Sequence, residues 1–77
     1  MKNYTIEEVS THNTIDDAWI IINNYVYNIT FFLNEHPGGK HILLQFAGTD
    51  ATEYFNELHQ SYIIDEYGEQ FKIGIIN

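Results

Sequence analysis

Apolar positions recur along the chain with two different spacings, and the changes of spacing divide it into elements. Ala18 to Ile22 and Tyr25 to Thr30 are runs of β-branched and aromatic residues separated by Asn23-Asn24. Asparagine tolerates positive φ, so the two runs predict strands joined by a tight hairpin turn. Before them, Thr5-Ile6-Glu7-Glu8 has the form of a capping box and predicts a short helix ending near His12-Asn13, with Thr14 to Asp17 as loop. After them the spacing becomes helical. Thr30 caps a helix through Phe31, Phe32 and Leu33, and Lys40 to Ala47 places Ile42, Leu43, Phe46 and Ala47 on one face, with Gly48 as C-cap. Asp50-Ala51-Thr52-Glu53 opens a third, on which Ala51, Tyr54, Phe55 and Leu58 form an apolar stripe. His59 follows one turn after Phe55, on nearly the same face. Ser61 caps a last short helix from Tyr62 to Tyr67, closed by Gly68, and Phe71 to Ile76 returns as a strand with Phe71, Ile73 and Ile75 inward. A strand hairpin, two helical hairpins and a closing strand make an α+β layout.

Glu35-His36-Pro37-Gly38-Gly39-Lys40 interrupts this pattern. The residue before proline is pushed out of the α region and proline has no N–H to give, so a helix arriving at Glu35 stops at His36. Gly38 and Gly39 let the chain turn sharply and approach a neighbouring group closely, with the imidazole at the apex.

The length of 77 residues sets one domain, 1–77, with a core small enough to need reinforcement. There is no cysteine, which excludes disulfides, thiolate metal sites and covalent haem attachment, while a non-covalent cofactor stays open. The longest apolar runs fall far short of a bilayer span and no basic segment precedes one, so the expectation is a soluble, cytoplasmic protein without membrane insertion. A net charge of −8, from eleven acids against three lysines, excludes nucleic acid and favours a basic protein partner.

His36 and His59 lie 23 residues apart, one at a strained turn and one on a helix face. Both can point into a gap between two helix pairs, lined by Phe32, Leu33, Ile42, Leu43, Phe46, Phe55 and Leu58. A flat apolar disc with a central metal suits that lining: haem, with an imidazole on each face. Zinc is the competing metal, but a structural zinc site needs four ligands and the chain offers no second close pair. The third reading makes both residues ordinary core or surface histidines. His41 reads as a solvated helix residue, His12 as a favourable contact with a helix dipole, and Trp19 as core.

The motifs taken together resemble those of the cytochrome b5 domain. The resemblance runs through Tyr4-Thr5, Glu7-Glu8-Val9, Asp17-Ala18-Trp19, Tyr27-Asn28-Ile29-Thr30, Phe32-Leu33, Glu35-His36-Pro37-Gly38-Gly39, Ala47-Gly48, Asp50-Ala51-Thr52, Phe55, His59 and Lys72-Ile73-Gly74. It implies a small mixed sheet with two helical hairpins forming a haem pocket. In that pocket a non-covalent haem b is held by His36 and His59, with Phe32 and Phe55 beside the ring. Leu33, Ile42, Leu43, Phe46 and Leu58 complete the lining, and the turn brings Pro37 and Gly38 to the cofactor. Trp19 falls in a second core behind the sheet. Where the family often has His-Ser, this chain has His59-Gln60-Ser61, and Ser61 is the candidate for a haem propionate. Lys40, His41 and Gln45 stand where many members are rich in glutamate, and the hydrophobic tail of the anchored members is not in this chain.

The function so implied is electron transport: a monomer shuttling single electrons from a flavoprotein reductase to a terminal oxidase, desaturase or hydroxylase. It is a carrier and not an enzyme, either free or as a domain of a larger oxidoreductase. The alternative is a non-redox haem- or steroid-binding regulator of the same class, whose members lack the paired histidines and use tyrosine at the iron. A cofactor-free structural domain would bury two imidazoles in need of partners.

Overall fold

The chain runs β1 (Asn3–Tyr4), α1 (Ile6–Ser10), β2 (Asn13–Thr14), β3 (Asp17–Ile22), β4 (Tyr25–Asn28), α2 (Thr30–Glu35), α3 (Lys40–Gln45), α4 (Thr52–Glu57) and β5 (Lys72–Ile76). These elements belong to a computed structural model that describes residues 1–35, 40–57 and 70–77, the side chains of Asn34, Glu35, Lys40 and Ile42 excepted. The five strands form one sheet in the order β1-β5-β4-β3-β2. Asn23 and Asn24 turn β3 into β4 with φ of 52° and 70°, as their tolerance of the left-handed region predicts. The turn aligns Ile22 with Tyr25 and Trp19 with Asn28. Alternation along β3 then sends Ala18, Ile20 and Ile22 to one face and Trp19 and Ile21 to the other.

Each face carries its own core. On one, Ala18, Ile20, Ile22, Tyr27 and Ile29 meet Phe32 and Leu33 of α2, Leu43 of α3, and Phe55 of α4. On the other, Tyr4, Val9, Ile21 and Val26 are buried, with Trp19, Ile73 and Ile76 packed against them. The second core behind the sheet that holds Trp19 is therefore present.

Several elements differ from the expectation. The capping box forms: Thr5 Oγ1 accepts from the Glu8 N–H at 3.0 Å and the Glu8 carboxylate accepts from the Thr5 N–H at 3.2 Å. The helix it opens ends at Ser10, short of His12-Asn13. Ser10 and Thr11 hydroxyls donate back to the carbonyls of Glu7 and Glu8, side-chain bonds that compete with further helix. The freed segment pairs with β3 as β2, so Thr14 and Asp17 belong to strands and not to loop.

The closing strand has a different inward set. Phe71 packs on the helix side, but Ile73 and Ile76 pack on the rear side and the buried strand residue is Gly74. The register against β4 shifts between Val26 and Tyr27, and one extra residue reverses the faces beyond it. Gly74 lies beneath Tyr4: a Cβ there would stand 2.6 Å from the tyrosine ring and inside the space of the Lys2 carbonyl. The helix predicted over Tyr62–Tyr67 and the continuation of α4 to His59 lie outside the described residues.

Candidate functional site

The helical side of the sheet is built as a cradle, and short polar contacts fix each wall to the floor. Asn28 Oδ1 accepts from the Thr30 N–H at 3.1 Å and from the Thr30 hydroxyl at 2.7 Å. The same hydroxyl oxygen accepts from the Ala18 N–H at 2.9 Å, so the start of α2 is tied to β3. From that anchor α2 carries Phe32 and Leu33 into the core and ends at Glu35, the residue before His36.

The connection between α3 and α4 is laced along the edge of β3 beyond its pairing with β2. Gly48 donates to the Trp19 carbonyl at 2.6 Å, Ile21 donates to Thr49 at 3.0 Å, and Ala51 donates to Ile21 at 2.8 Å. Gly48 adopts φ +80°, and a Cβ there would press on Asn13 and the Ser10 carbonyl, so glycine permits both the turn and the close approach. Asp50 Oδ1 accepts from the Thr52 N–H at 2.9 Å, and Thr52 Oγ1 accepts from the Asn23 N–H at 2.9 Å. α4 is thereby fixed at its N-terminus and runs to Glu57, two residues before His59.

Phe32, Leu33, Leu43 and Phe55 come together in one cluster at no more than 6% exposure, with Phe46 half-buried against it. Among the described residues no buried side-chain nitrogen or oxygen lacks a partner, and the buried side chains are apolar apart from the phenol groups of Tyr4 and Tyr27. Among the described residues the cluster is mainly aliphatic and aromatic, a lining that suits the face of a porphyrin. The donors that sequence supplies just beyond α2 and α4 are imidazoles, ligands that iron accepts. His36, Pro37, Gly38, Leu58, His59 and Ser61 lie outside the described residues, as does the side chain of Ile42.

The other two histidines are placed. His41 is exposed on α3, as expected. His12 differs from the dipole contact predicted for it. Its ring stacks on Trp19 with centroids 3.5 Å apart and planes within 5°, and its Nδ1 lies 2.7 Å from the Asp17 carboxylate. It closes the rear core, with Tyr4 edge-on to Trp19 at 5.0 Å. A groove of about 480 Å³ lined by Asn28, Thr30, Phe31, Gln70, Phe71 and Ile73 opens at the start of α2. Tyr54 belongs to the predicted stripe on α4 but not to the residues expected to line the gap. Its ring meets both Phe46 and Phe55, at 4.5 Å and 5.4 Å between centroids.

A model of the cytochrome b5-like heme/steroid binding domain matches residues 5–77. Cytochrome b5 of Musca domestica is 47% identical over 74 residues, covering 96% of this chain and 55% of its own. That of Candida tropicalis is 49% identical over 71 residues, covering 92% and 55%. The chain thus spans about half the length of the curated relatives it matches. Among solved structures, cytochrome b5 of Ostreococcus tauri virus 2 superposes with a TM-score of 0.84 at 40% identity, covering 95% of this chain and 94% of that one. Cytochrome b558 of Ectothiorhodospira vacuolata, a prokaryotic homologue of cytochrome b5, gives 0.72 at 26% identity, covering 97% and 98%.

Proposed function

The chain belongs to the cytochrome b5-like family, and on that premise we propose that it is a one-electron carrier holding haem b non-covalently between His36 and His59. The observation that carries this reading is the apolar cradle of Phe32, Leu33, Leu43 and Phe55, whose walls α2 and α4 lead directly into the two histidines. The cofactor supplies an iron that changes valence by one electron. The chain's residues hold it, keep water off its faces and fix its ligands.

His36 and His59 together would satisfy the iron and leave no open position for dioxygen or substrate, so the domain would carry electrons without transforming a substrate. Pro37 and Gly38 shape the turn that presents His36, Ile42, Phe46 and Leu58 extend the lining, and Ser61 meets a propionate. Residues 1–77 act as one haem-binding domain, monomeric, working in the cytoplasm between a flavoprotein reductase and a terminal oxidase, desaturase or hydroxylase. No helix among the described residues is long and apolar enough to cross a membrane.

Titration of the purified protein with haemin, followed by its visible spectrum, tests the reading. The expected result is one equivalent bound in a low-spin bis-imidazole form with a sharp α band on reduction. His36→Ala and His59→Ala each give high-spin or ligand-exchanging iron, and His41→Ala leaves the spectrum unchanged. A protein that stays colourless overturns the proposal. Binding that survives both histidine substitutions unaltered favours the non-redox haem- or steroid-binding alternative.

A further inference from the structure

We propose that Phe46 and Tyr54 form an aromatic clasp that sets the separation of α3 and α4 and so positions the cofactor's walls, an inference that rests on the haem-binding reading above. The two walls have different supports, because α3 packs chiefly on α2 while α4 packs on β3. Between them lies the turn from Phe46 to Ala51. In it Thr49 returns its N–H to the Phe46 carbonyl at 2.9 Å and its hydroxyl to the same oxygen at 2.7 Å. Those bonds fix the direction of the turn, and the ring pair fixes the distance across it.

The Phe46 and Tyr54 centroids are 4.5 Å apart with planes tilted by 36°, and both residues are half-buried. Successive helix residues point about 100° apart, so Tyr54 can face α3 while Phe55 faces the cradle. Tyr54 also meets Phe55 edge-on, at 5.4 Å and 86°. Phe55 is 3% exposed and packs in the cluster of Phe32, Leu33 and Leu43. The series Phe46, Tyr54, Phe55 thus transmits the position of the end of α3 to a wall of the pocket. Tyr54 is a positioning residue, and Phe46, which also extends the proposed lining, positions Phe55 through the Tyr54 ring.

The test measures haem release from ferric holoprotein to a scavenger, together with the paramagnetically shifted haem methyl resonances. Phe46→Ala and Tyr54→Ala each speed release by about two- to tenfold, the range to which the directional part of one aromatic pair converts. The double variant releases no faster than the faster single one, because either change removes the same contact. Methyl shifts move in both alanine variants and stay in place in Tyr54→Phe, which keeps the ring. In the apoprotein, amides of residues 43–46 and 54–57 exchange faster together while that of Val26 does not. If an alanine variant fails to fold, Tyr54→Leu removes the ring at similar volume and gives the same release and methyl-shift result. Additive effects, unchanged release, or Tyr54→Phe behaving as Tyr54→Ala overturn the clasp while the function stands. Wild-type protein that takes up no haemin overturns the function and the clasp with it.

Discussion

Gly74 shows how much a single position can carry without announcing it. In the sequence it interrupts a β-branched run, and a glycine inside a strand signals either a bulge or a close backbone approach. Both occur here: the register shifts beside it and the Tyr4 ring lies over it. Gly74→Ala forces either β1 or β5 to move, and overpacking of this kind costs about 1–3 kcal/mol. Urea unfolding should show that loss, with Tyr4 and Trp19 fluorescence changed in the native state because Tyr4 leaves its edge-on contact. Unchanged stability would mean that the N-terminal strand yields without cost.

At the level of elements, the two faces of the sheet predict unequal dependence on the cofactor. The rear core closes on itself through Tyr4, Val9, Ile21 and Val26, with Trp19 and the paired His12 at its rim. The helix-side core packs elements that lead toward the two histidines, and on the haem-binding reading the cofactor adds to it. Ligand binding to the native form adds stability by mass action, about 4 kcal/mol at a thousandfold excess over Kd. In the apoprotein, amides of Leu33, Leu44 and Phe55 should exchange much faster than those of Ile21 and Val26, and addition of haemin should remove the difference. Equal exchange on both faces would refute the two-core account. Legibility followed the same division. The β3–β4 hairpin, the capping box and the stripe of Ala51 and Phe55 were readable because local chemistry decides them. β1 and β2, two residues each, were not: β1 is made by pairing with β5 at the far end of the chain, and β2, though paired with its neighbour β3, is too short to show alternation. The inward set of β5 was misread because alternation assumes an unbroken register. His12 was misread because its partners, Asp17 and Trp19, reach it only across the β2–β3 turn.

At the scale of the whole molecule, the net charge of −8 is what an approaching partner meets first. Lys2 and Lys72 lie over the rings of Tyr4 and Tyr25, at 5.5 Å and 4.2 Å, on the side of β1, β4 and β5. Asp50, Glu53 and Glu57 are exposed along α4 and its approach, and α4 leads toward His59. A basic partner would be drawn toward these acids, and such steering raises encounter rates by about one to three orders of magnitude at low salt. Electron transfer from the reduced holoprotein to a basic acceptor such as cytochrome c should slow steeply with added salt, and Glu35→Gln with Glu57→Gln should flatten that dependence. Stopped-flow rates across ionic strength decide it; a rate indifferent to salt would place recognition on another surface. The sheet has one more consequence, and it is mechanical. β1 and β5 run parallel, joined where Ile75 donates to Lys2 and Asn77 donates to Tyr4 at 2.9 Å each. Tension applied through the two ends of the chain pulls these strands past one another, so both bonds bear the load together and do not open one after the other. A pull along the chain meets that shear-loaded joint before it reaches the helices that frame the cradle.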